Sequence, residues 1–350
     1  MALDTEFVWE RTYYPRLGLI QLALSDEDCF LIDPVALQDL SMLGELLADP
    51  SVVKIFHDAP QDLAILSRAT GSIPNNIFDT RLAAGFTGLS ATLSLGNLIK
   101  ILLDIDLKKT ETRTNWLKRP LAAEQIDYAL DDVRYLRAVR ILLLSSIIGP
   151  EIKSWLQEEL ELLNAPATYM GHKDDERYLK IKDASSLNPQ GLTVLRELAL
   201  WREEEARTLN RPRGHIVPDS VLLCIARKRL RNIDEIRTET ALSSRAAERY
   251  GDRIIAAVQR GMDSQKSIEL PVNRSMKLTK KEKEALARLN QLVLLKSEVQ
   301  GIDPAIIGNG SEFKMLVKIL NKSCESTMLR QMEGWRKIFL KDFFRQTSLR

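Results

Sequence analysis

Cysteine, histidine and long apolar runs are all scarce in this chain of 350 residues. The three cysteines, Cys29, Cys224 and Cys324, lie far apart, show no metal-ligand spacing and cannot all pair, which fits a reducing cytoplasm. No run approaches the roughly 18 uncharged apolar residues of a membrane span, so we expect none. No basic segment followed by an apolar one opens the chain, so we expect no secretory signal.

The composition is that of an ordinary globular protein with an uneven charge distribution. Hydrophobic residues make up 45% and charged residues 28%, enough for proper cores, and the length predicts two or three domains. Residues 1–165 hold 15 Lys+Arg against 24 Asp+Glu, whereas residues 166–350 hold 35 against 24. An acidic first half and a basic second half suit a domain that gathers cations and a tail that gathers phosphates, but also two unrelated domains.

Two acidic residues stand two positions apart in a strand-like run, Leu3-Asp4-Thr5-Glu6-Phe7. Because alternate side chains of a strand share a face, Asp4 and Glu6 are expected to project together. Neighbouring carboxylates repel each other when buried, and a cation that prefers oxygen ligands, such as Mg²⁺ or Mn²⁺, offsets their charge. An isolated pair of this kind is more often an exposed polar strand face.

Strand-like segments occupy the start of the chain, and helical periodicity follows. The predicted strands are 2–8, 17–24 and 29–32 in an antiparallel meander, then 52–56. The predicted helices of this region are about 38–48, 60–70, 79–87, 92–103 and one long segment from 122 to 163. Strands first and then helices mixed with a strand favour an α/β or α+β layered fold.

Three more residues complete a possible site. Asp62 lies in the first turn of a helix, where it meets the helix dipole favourably, although an N-cap role is the commoner one there. Tyr128 and Asp132 are four apart on a helix and share a face, so a hydroxyl and a carboxylate could hold one water beside a metal. Taken alone, this pair is more often a phenol at the core edge above a solvated carboxylate.

The combination of these motifs resembles the DEDD superfamily of 3′→5′ exonucleases, in its tyrosine subclass. The resemblance rests on the D-x-E strand, an Asp after the fourth strand and the Y-x-x-x-D helix. It is similar to the ribonuclease D family in particular, and the further matching residues are Arg11-Thr12-Tyr13-Tyr14-Pro15, residues 18–22, Phe78-Asp79-Thr80, Ser94-Leu95, Lys109, Trp116 and Arg119-Pro120-Leu121.

The resemblance implies an RNase H-like exonuclease domain, a mixed sheet flanked by helices, that uses two divalent metal ions, Mg²⁺ or Mn²⁺. It implies that Asp4, Glu6 and Asp132 hold one ion, that Asp4 bridges to the second, and that Asp62 contributes directly or through water. Two such ions, about 4 Å apart, stabilise the attacking and leaving oxygens of a phosphodiester. Tyr128 is expected to orient the attacking water, because a phenol of pKa near 10 is a poor base.

Contacts to nucleic acid are also predicted. The candidate residues are Phe7, His57, Lys109, Arg113, Arg227, Lys228, Arg229 and Arg231. Lys109 and Arg113 precede Trp116 on a loop, where they hold phosphates or are simply solvated. The cationic residues at 227–231 are expected to bind phosphates without sequence preference and in a salt-sensitive way, or else to form a solvated helix end. A single histidine such as His57 is more often structural than catalytic.

The second half of the chain is predicted to be helical. Residues 191–263 resemble an HRDC domain, on residues 195–203, Asn210-Arg211-Pro212-Arg213 and Ile216-Val217-Pro218-Asp219, and residues 279–350 resemble a second, diverged HRDC-like helical domain. We therefore expect an exonuclease domain at 1–165 and linkers at 166–190 and 264–278. Relatives carry a further strand and helix before the D-x-E strand, so we expect the first strand to be weakly anchored.

The resemblance implies a 3′→5′ exoribonuclease that releases nucleoside 5′-monophosphates from RNA 3′ ends, tRNA precursors above all. We expect it to act as a cytoplasmic monomer. One alternative is a DNA 3′→5′ exonuclease, because the same carboxylates can serve to hydrolyse the phosphodiesters of RNA or of DNA, and HRDC domains also bind DNA. Another is a nucleic-acid-binding protein without catalysis. No sequence feature reveals the contact to a 2′-hydroxyl that would separate RNA from DNA.

Overall fold

The computed structural model describes residues 1–107, 114–170, 174–264, 278–321 and 328–348. The chain divides into two compact units. The first contains Met1–Val8, Leu17–Gly171 and Lys277–Arg350, and the second contains Trp9–Arg16 and His172–Met276. None of the helices in the described ranges combines the length and the apolarity that crossing a bilayer requires.

A five-stranded mixed sheet lies at the centre of the first unit. Its strands are β1 (Ala2–Val8), β2 (Arg16–Ala23), β3 (Cys29–Ile32), β4 (Lys54–Phe56) and β5 (Ile77–Asp79), in the order β3-β2-β1-β4-β5. Strand β3 runs antiparallel to β2, with Ile20 opposite Ile32, whereas β4 is parallel to both β1 and β5. The four predicted strands are present, and β5 is an additional one whose three residues are too few to show a period.

Strand β1 is better anchored than the sequence suggested. It has a hydrogen-bonded strand on each side, and the amino group of Met1 donates to the Val53 carbonyl at 2.8 Å. The side chain of Leu3 is fully buried in the main core of the unit. The expectation of a weakly held first strand is therefore wrong for this structure.

Eight helices surround the sheet in the described part of residues 1–171. They are α1 (Ser41–Ala48), α2 (Pro60–Thr70), α3 (Thr80–Gly85), α4 (Leu95–Leu103), α5 (Ala123–Arg134), α6 (Leu136–Ser146), α7 (Pro150–Leu162) and α8 (Pro166–Met170). The single helix predicted from 122 to 163 is thus three helices. Tyr135 separates α5 from α6, and Gly149, with φ 92°, precedes Pro150 at the first position of α7.

The second unit is helical. After 3₁₀ turns at Asp174–Lys180 and Ala184–Ser186 it contains α9 (Pro189–Thr208), α10 (Arg213–Ile216), α11 (Asp219–Lys228), α12 (Ile233–Glu239) and α13 (Ser244–Asp263). The segment Trp9–Arg16 folds with these helices, because Tyr13 donates its hydroxyl to Glu203 and Asn210 accepts the backbone N–H groups of Tyr13 and Tyr14, both at 3.1 Å. The expected domain boundaries assigned this segment to the exonuclease domain.

The C-terminal helices belong to the first unit. They are α14 (Lys280–Gln300), α15 (Pro304–Ile307), α16 (Gly310–Leu320), α17 (Gly334–Phe339) and α18 (Lys341–Ser348). Trp335 stacks on Trp155 of α7 with ring centroids 5.1 Å apart, and its Nε1 donates to Glu159 at 2.7 Å. The segment expected to be a separate third domain is therefore grouped with the sheet, because its aromatic residues share one core with α7.

A buried ion pair holds this junction together. Arg336 binds both carboxylate oxygens of Glu159 and donates its Nε to the Ile306 carbonyl at 2.9 Å. Replacing Glu159 by Gln leaves a buried guanidinium without its counter-charge, and we expect a loss of about 3 kcal/mol in the free energy of unfolding. Urea melts measure it. The matched control is Asp104→Asn at the exposed pair with Lys100, which should leave the midpoint of the urea melt nearly unchanged; equal losses would contradict the prediction.

Candidate active site

Strand β1 presents the first two carboxylates. Leu3 and Thr5 are buried, whereas Asp4 and Glu6 are partly exposed, as expected for side chains that alternate between the two faces of a strand. The predicted common face of Asp4 and Glu6 is therefore present. Their position in the central strand of the sheet keeps both backbones fixed.

Helix α5 supplies the third carboxylate and the phenol. This helix packs against β1 and β3. Asp4, Glu6 and Asp132 each offer a carboxylate oxygen, and these three atoms lie within 4.8 Å of one another. The Tyr128 hydroxyl lies beside the Asp132 carboxylate, one helical turn away. Residues far apart in the chain thus converge, while the neighbouring Asp131 is paired with Arg134 at 3.5 Å.

Asp62 lies beside this group rather than within it. It is buried in the first turn of α2, where its carboxylate accepts the hydroxyl hydrogen of Thr5. It does not cap the helix, since the N-cap residue is Ala59. Its charge still acts on Asp4 and Glu6, whose pKa values it raises. Thr5 was not predicted, and only its position between the two acidic residues could have indicated it.

Burial raises the pKa of all four carboxyl groups, and the charges of neighbouring carboxylates raise it further. Burial is the largest cause in each case, and it raises the pKa of Glu6 to about 8, of Asp62 to about 7 and of Asp132 to about 6. The pKa of Asp4 lies well above its usual range, through burial and then through the charges of the other three. Burial, followed by the charge of Asp132, also raises the pKa of the Tyr128 phenol, which therefore stays protonated at neutral pH.

This donor set fits a hard divalent cation. Three carboxylate oxygens converge, and no Lys or Arg within the described ranges forms an ion pair with Asp4, Glu6 or Asp132. Without a counter-charge the group can only hold protons, which the raised pKa values express. Mg²⁺ and Mn²⁺ both take carboxylate oxygens as ligands. No second convergence of three His, Cys, Asp or Glu side chains occurs among the described residues.

The predicted contacts to nucleic acid have mixed outcomes. His57 is held by the protein itself, with its Nδ1 2.9 Å from the Thr80 hydroxyl and its Nε2 3.1 Å from the Leu93 carbonyl. Since that carbonyl can only accept, the neutral ring carries its proton on Nε2. Both ring nitrogens are thus engaged, so His57 is better explained as a structural residue. Phe7 is half-buried beside Glu6. Lys109 and Arg113 lie outside the described residues.

The cationic cluster at 227–231 is exposed on the second unit. Lys228 pairs with Glu239, and Arg227 donates to the Ser186 hydroxyl at 3.0 Å. The guanidinium groups of Arg229 and Arg231 have no ion-pair partner among the residues that the structure describes. Arg229 and Arg231, two of the four predicted cationic residues, are thus available to bind phosphates. Asp79 caps α3, accepting the N–H of Arg81 at 2.8 Å.

Comparisons with known proteins decide the family. Residues 1–147 match the 3′-5′ exonuclease domain and residues 191–258 match the HRDC domain. The ribonuclease D of Desulfotalea psychrophila is 55% identical over 345 residues, which cover 98% of this chain and 91% of that protein. The chain belongs to the ribonuclease D family. The ribonuclease D of Pseudomonas paraeruginosa is 35% identical over 339 residues, covering 96% of this chain and 89% of that one.

The fold agrees with this assignment. The crystal structure of Escherichia coli RNase D, an exoribonuclease involved in structured RNA processing, matches with a TM-score of 0.82 at 26% identity, covering 99% of this chain and 92% of that one. The predicted fold class is confirmed, and so is the predicted enzyme class, a 3′→5′ exoribonuclease. The relatives give no support to the DNA exonuclease alternative. The roles of individual residues in this chain stay predictions.

Proposed function

We propose that this protein shortens RNA stepwise from its 3′ end, releasing nucleoside 5′-monophosphates, with two divalent metal ions at the acidic cluster. The observation that carries the proposal is the convergence of Asp4, Glu6 and Asp132 beside the Tyr128 hydroxyl. The three carboxylates would hold one ion, and Asp4 would also bind the second. Bound ions would supply charge to stabilise the attacking and leaving oxygens and would acidify a water.

Tyr128 acts as a positioning group rather than as a base. Its raised pKa keeps the phenol protonated, and its hydroxyl lies beside Asp132. A protonated hydroxyl beside a carboxylate can hold a water by accepting one of its hydrogens, which fixes the direction of attack on the scissile phosphate. Tyr128 therefore does not take the proton of that water.

Asp62 supports the same site from the side. Its carboxylate is fixed by the Thr5 hydroxyl, and Thr5 stands between Asp4 and Glu6 on β1. A carboxylate held so close adds negative charge without joining the group of three. We infer that it takes part in binding the second ion, directly or through a water.

The second unit is the proposed RNA-holding part. Arg229 and Arg231 are exposed, and cations of this kind bind the phosphate backbone in a sequence-independent and salt-sensitive way. Relatives in the family are named ribonuclease D, and the E. coli RNase D takes part in structured RNA processing. We therefore propose structured RNA 3′ ends, tRNA precursors above all, as the substrate. We further expect the enzyme to act as a monomer in the cytoplasm.

The experiment compares RNA and DNA directly. A 5′-labelled tRNA with a 3′ extension, and a DNA of the same sequence, are incubated with the protein and Mg²⁺ or Mn²⁺. We expect a ladder of shortened RNA, nucleoside 5′-monophosphates as the products, little shortening of DNA, and no activity after chelation with EDTA. Equal shortening of DNA would contradict the RNA preference, and RNA binding without shortening would contradict the proposed catalysis.

A further inference from the structure

Arg119 uses all five of its N–H groups. Its Nε and one Nη2 hydrogen bind the two carboxylate oxygens of Asp33, both at 2.6 Å, and Nη2 also donates to the Gly18 carbonyl at 2.7 Å. Its Nη1 donates to the carbonyls of Trp116 and Lys118, both at 2.9 Å. A guanidinium has five donors in a rigid plane, so this set is complete. Arg119 thus fixes the loop before α5 to β2 and to the residue after β3.

The loop lies directly on the backbone of β2. A Cβ built on Gly18 would lie 2.8 Å from the Cβ of Trp116 and 2.8 Å from its carbonyl oxygen, closer than side chains can approach. Glycine inside a strand often marks such a close approach of another backbone. Trp116 itself is buried. The position of Trp116 is therefore fixed by its close contact with the Gly18 backbone and by the hydrogen bond from Arg119 to its carbonyl.

The indole of Trp116 packs in turn against the ring of Tyr128. Their ring centroids are 6.1 Å apart, and both belong to a small apolar cluster, built around Leu19 and Ala129, that is separate from the main core. The hydroxyl at the far end of the Tyr128 ring lies beside the Asp132 carboxylate. A shift of the indole would therefore tilt the phenol and move that hydroxyl, while the carboxylates on β1 would stay in place.

We propose that Arg119 is a positioning residue for Tyr128, acting through the Trp116 indole that it fixes on Gly18. This inference rests on the proposed role of Tyr128 in the hydrolysis. Arg119 contacts none of the four carboxylates, and its charge is offset by Asp33. Its effect on the reaction is geometric, and Lys cannot replace it, because an ammonium has three donors at one point and cannot reach five acceptors.

The test is a double-mutant cycle on the rate of a single turnover. Arg119→Lys, Tyr128→Phe and the double variant are compared on 3′-extended RNA, and RNA affinity is measured for each. We expect each single change to slow hydrolysis by roughly 10- to 100-fold, since misplacing a reacting group by about 1 Å costs about that much. RNA affinity should change by less than about threefold, and the double variant should be no slower than Tyr128→Phe.

Two further variants separate positioning from general instability. Arg330→Lys is the matched control, because Arg330 also binds both oxygens of a carboxylate, that of Glu312 at 2.7 and 2.8 Å, in the same unit. It should leave the rate unchanged. Gly18→Ala displaces Trp116 while leaving the guanidinium of Arg119 chemically unchanged, and it should slow hydrolysis and likewise add nothing to Tyr128→Phe. Rates are compared per folded protein, with thermal unfolding measured for every variant.

The outcomes distinguish the two proposals. An unchanged rate in Tyr128→Phe would remove the proposed role of Tyr128, and this inference with it. A slow Tyr128→Phe together with a full-rate Arg119→Lys would overturn only the role of Arg119. The role of Arg119 would also be overturned if the rate losses of the two single variants multiplied in the double variant, because Arg119 would then act on something other than Tyr128.

Discussion

Asp4→Asn should lower RNA hydrolysis by a factor on the order of 10³ or more, because it removes the one carboxylate proposed to bind both metal ions. The substitution keeps the shape of the side chain and removes its charge. The metal-free protein should also become more stable at pH 8, since the repulsion among Asp4, Glu6, Asp62 and Asp132 is relieved. Hydrolysis rates in Mg²⁺ and thermal unfolding in EDTA measure the two effects.

Asp131→Asn is the matched control for this prediction. Asp131 is the neighbour of Asp132 on the same helix, but it pairs with Arg134 and lies outside the group of three converging carboxylates. Its substitution should change hydrolysis by less than about threefold. A loss as large as that of Asp4→Asn, or substantial activity in Asp4→Asn itself, would mean that the cluster is not the catalytic centre.

Mn²⁺ should stabilise the protein far more at pH 8 than at pH 6. The folded-state pKa values of Asp132, Asp62 and Glu6, about 6, 7 and 8, exceed the values near 4 of the unfolded chain. The metal-free folded state therefore binds more protons than the unfolded state between about pH 4 and pH 8, and it loses stability as the pH rises through that window. Bound cations take the place of those protons, so their binding strengthens as the pH rises.

Thermal unfolding with EDTA or Mn²⁺ at the two pH values measures this effect. At a Mn²⁺ concentration about a hundredfold above its dissociation constant, we expect the midpoint at pH 8 to rise by on the order of 5 °C. The rise at pH 6 should be clearly smaller. Asp4→Asn should lose most of the rise at both pH values. A shift that is equal at pH 6 and pH 8 would contradict competition between cations and protons at these carboxyls.

Each half of the active site could be predicted because its signals are local. Alternation on β1 placed Asp4 and Glu6 on one face, and the spacing of four on α5 placed Tyr128 beside Asp132. Bringing these two pieces together required the family resemblance, since nothing in either motif specifies contact over more than a hundred residues. Asp62 shows the limit of that reasoning, because its partner Thr5 is a tertiary hydrogen bond without a sequence pattern.

Other features followed from packing that the sequence does not display. Helical periodicity predicted the helices of residues 279–350, but only the stacking of Trp335 on Trp155 groups them with the sheet. The three-residue strand β5 is too short to have a period. Gly18, in a mostly apolar strand, did carry a signal, because interior glycine indicates a close approach. That the approaching residue is Trp116 emerged only from the structure.

Anomalous scattering from crystals soaked in Mn²⁺ tests the arrangement of the carboxylates most directly. We predict a strong peak within bonding distance of one oxygen from each of Asp4, Glu6 and Asp132. At a Mn²⁺ concentration that supports RNA hydrolysis in solution, the absence of any peak among these three residues, or a peak found only elsewhere, would contradict a catalytic metal site at this cluster.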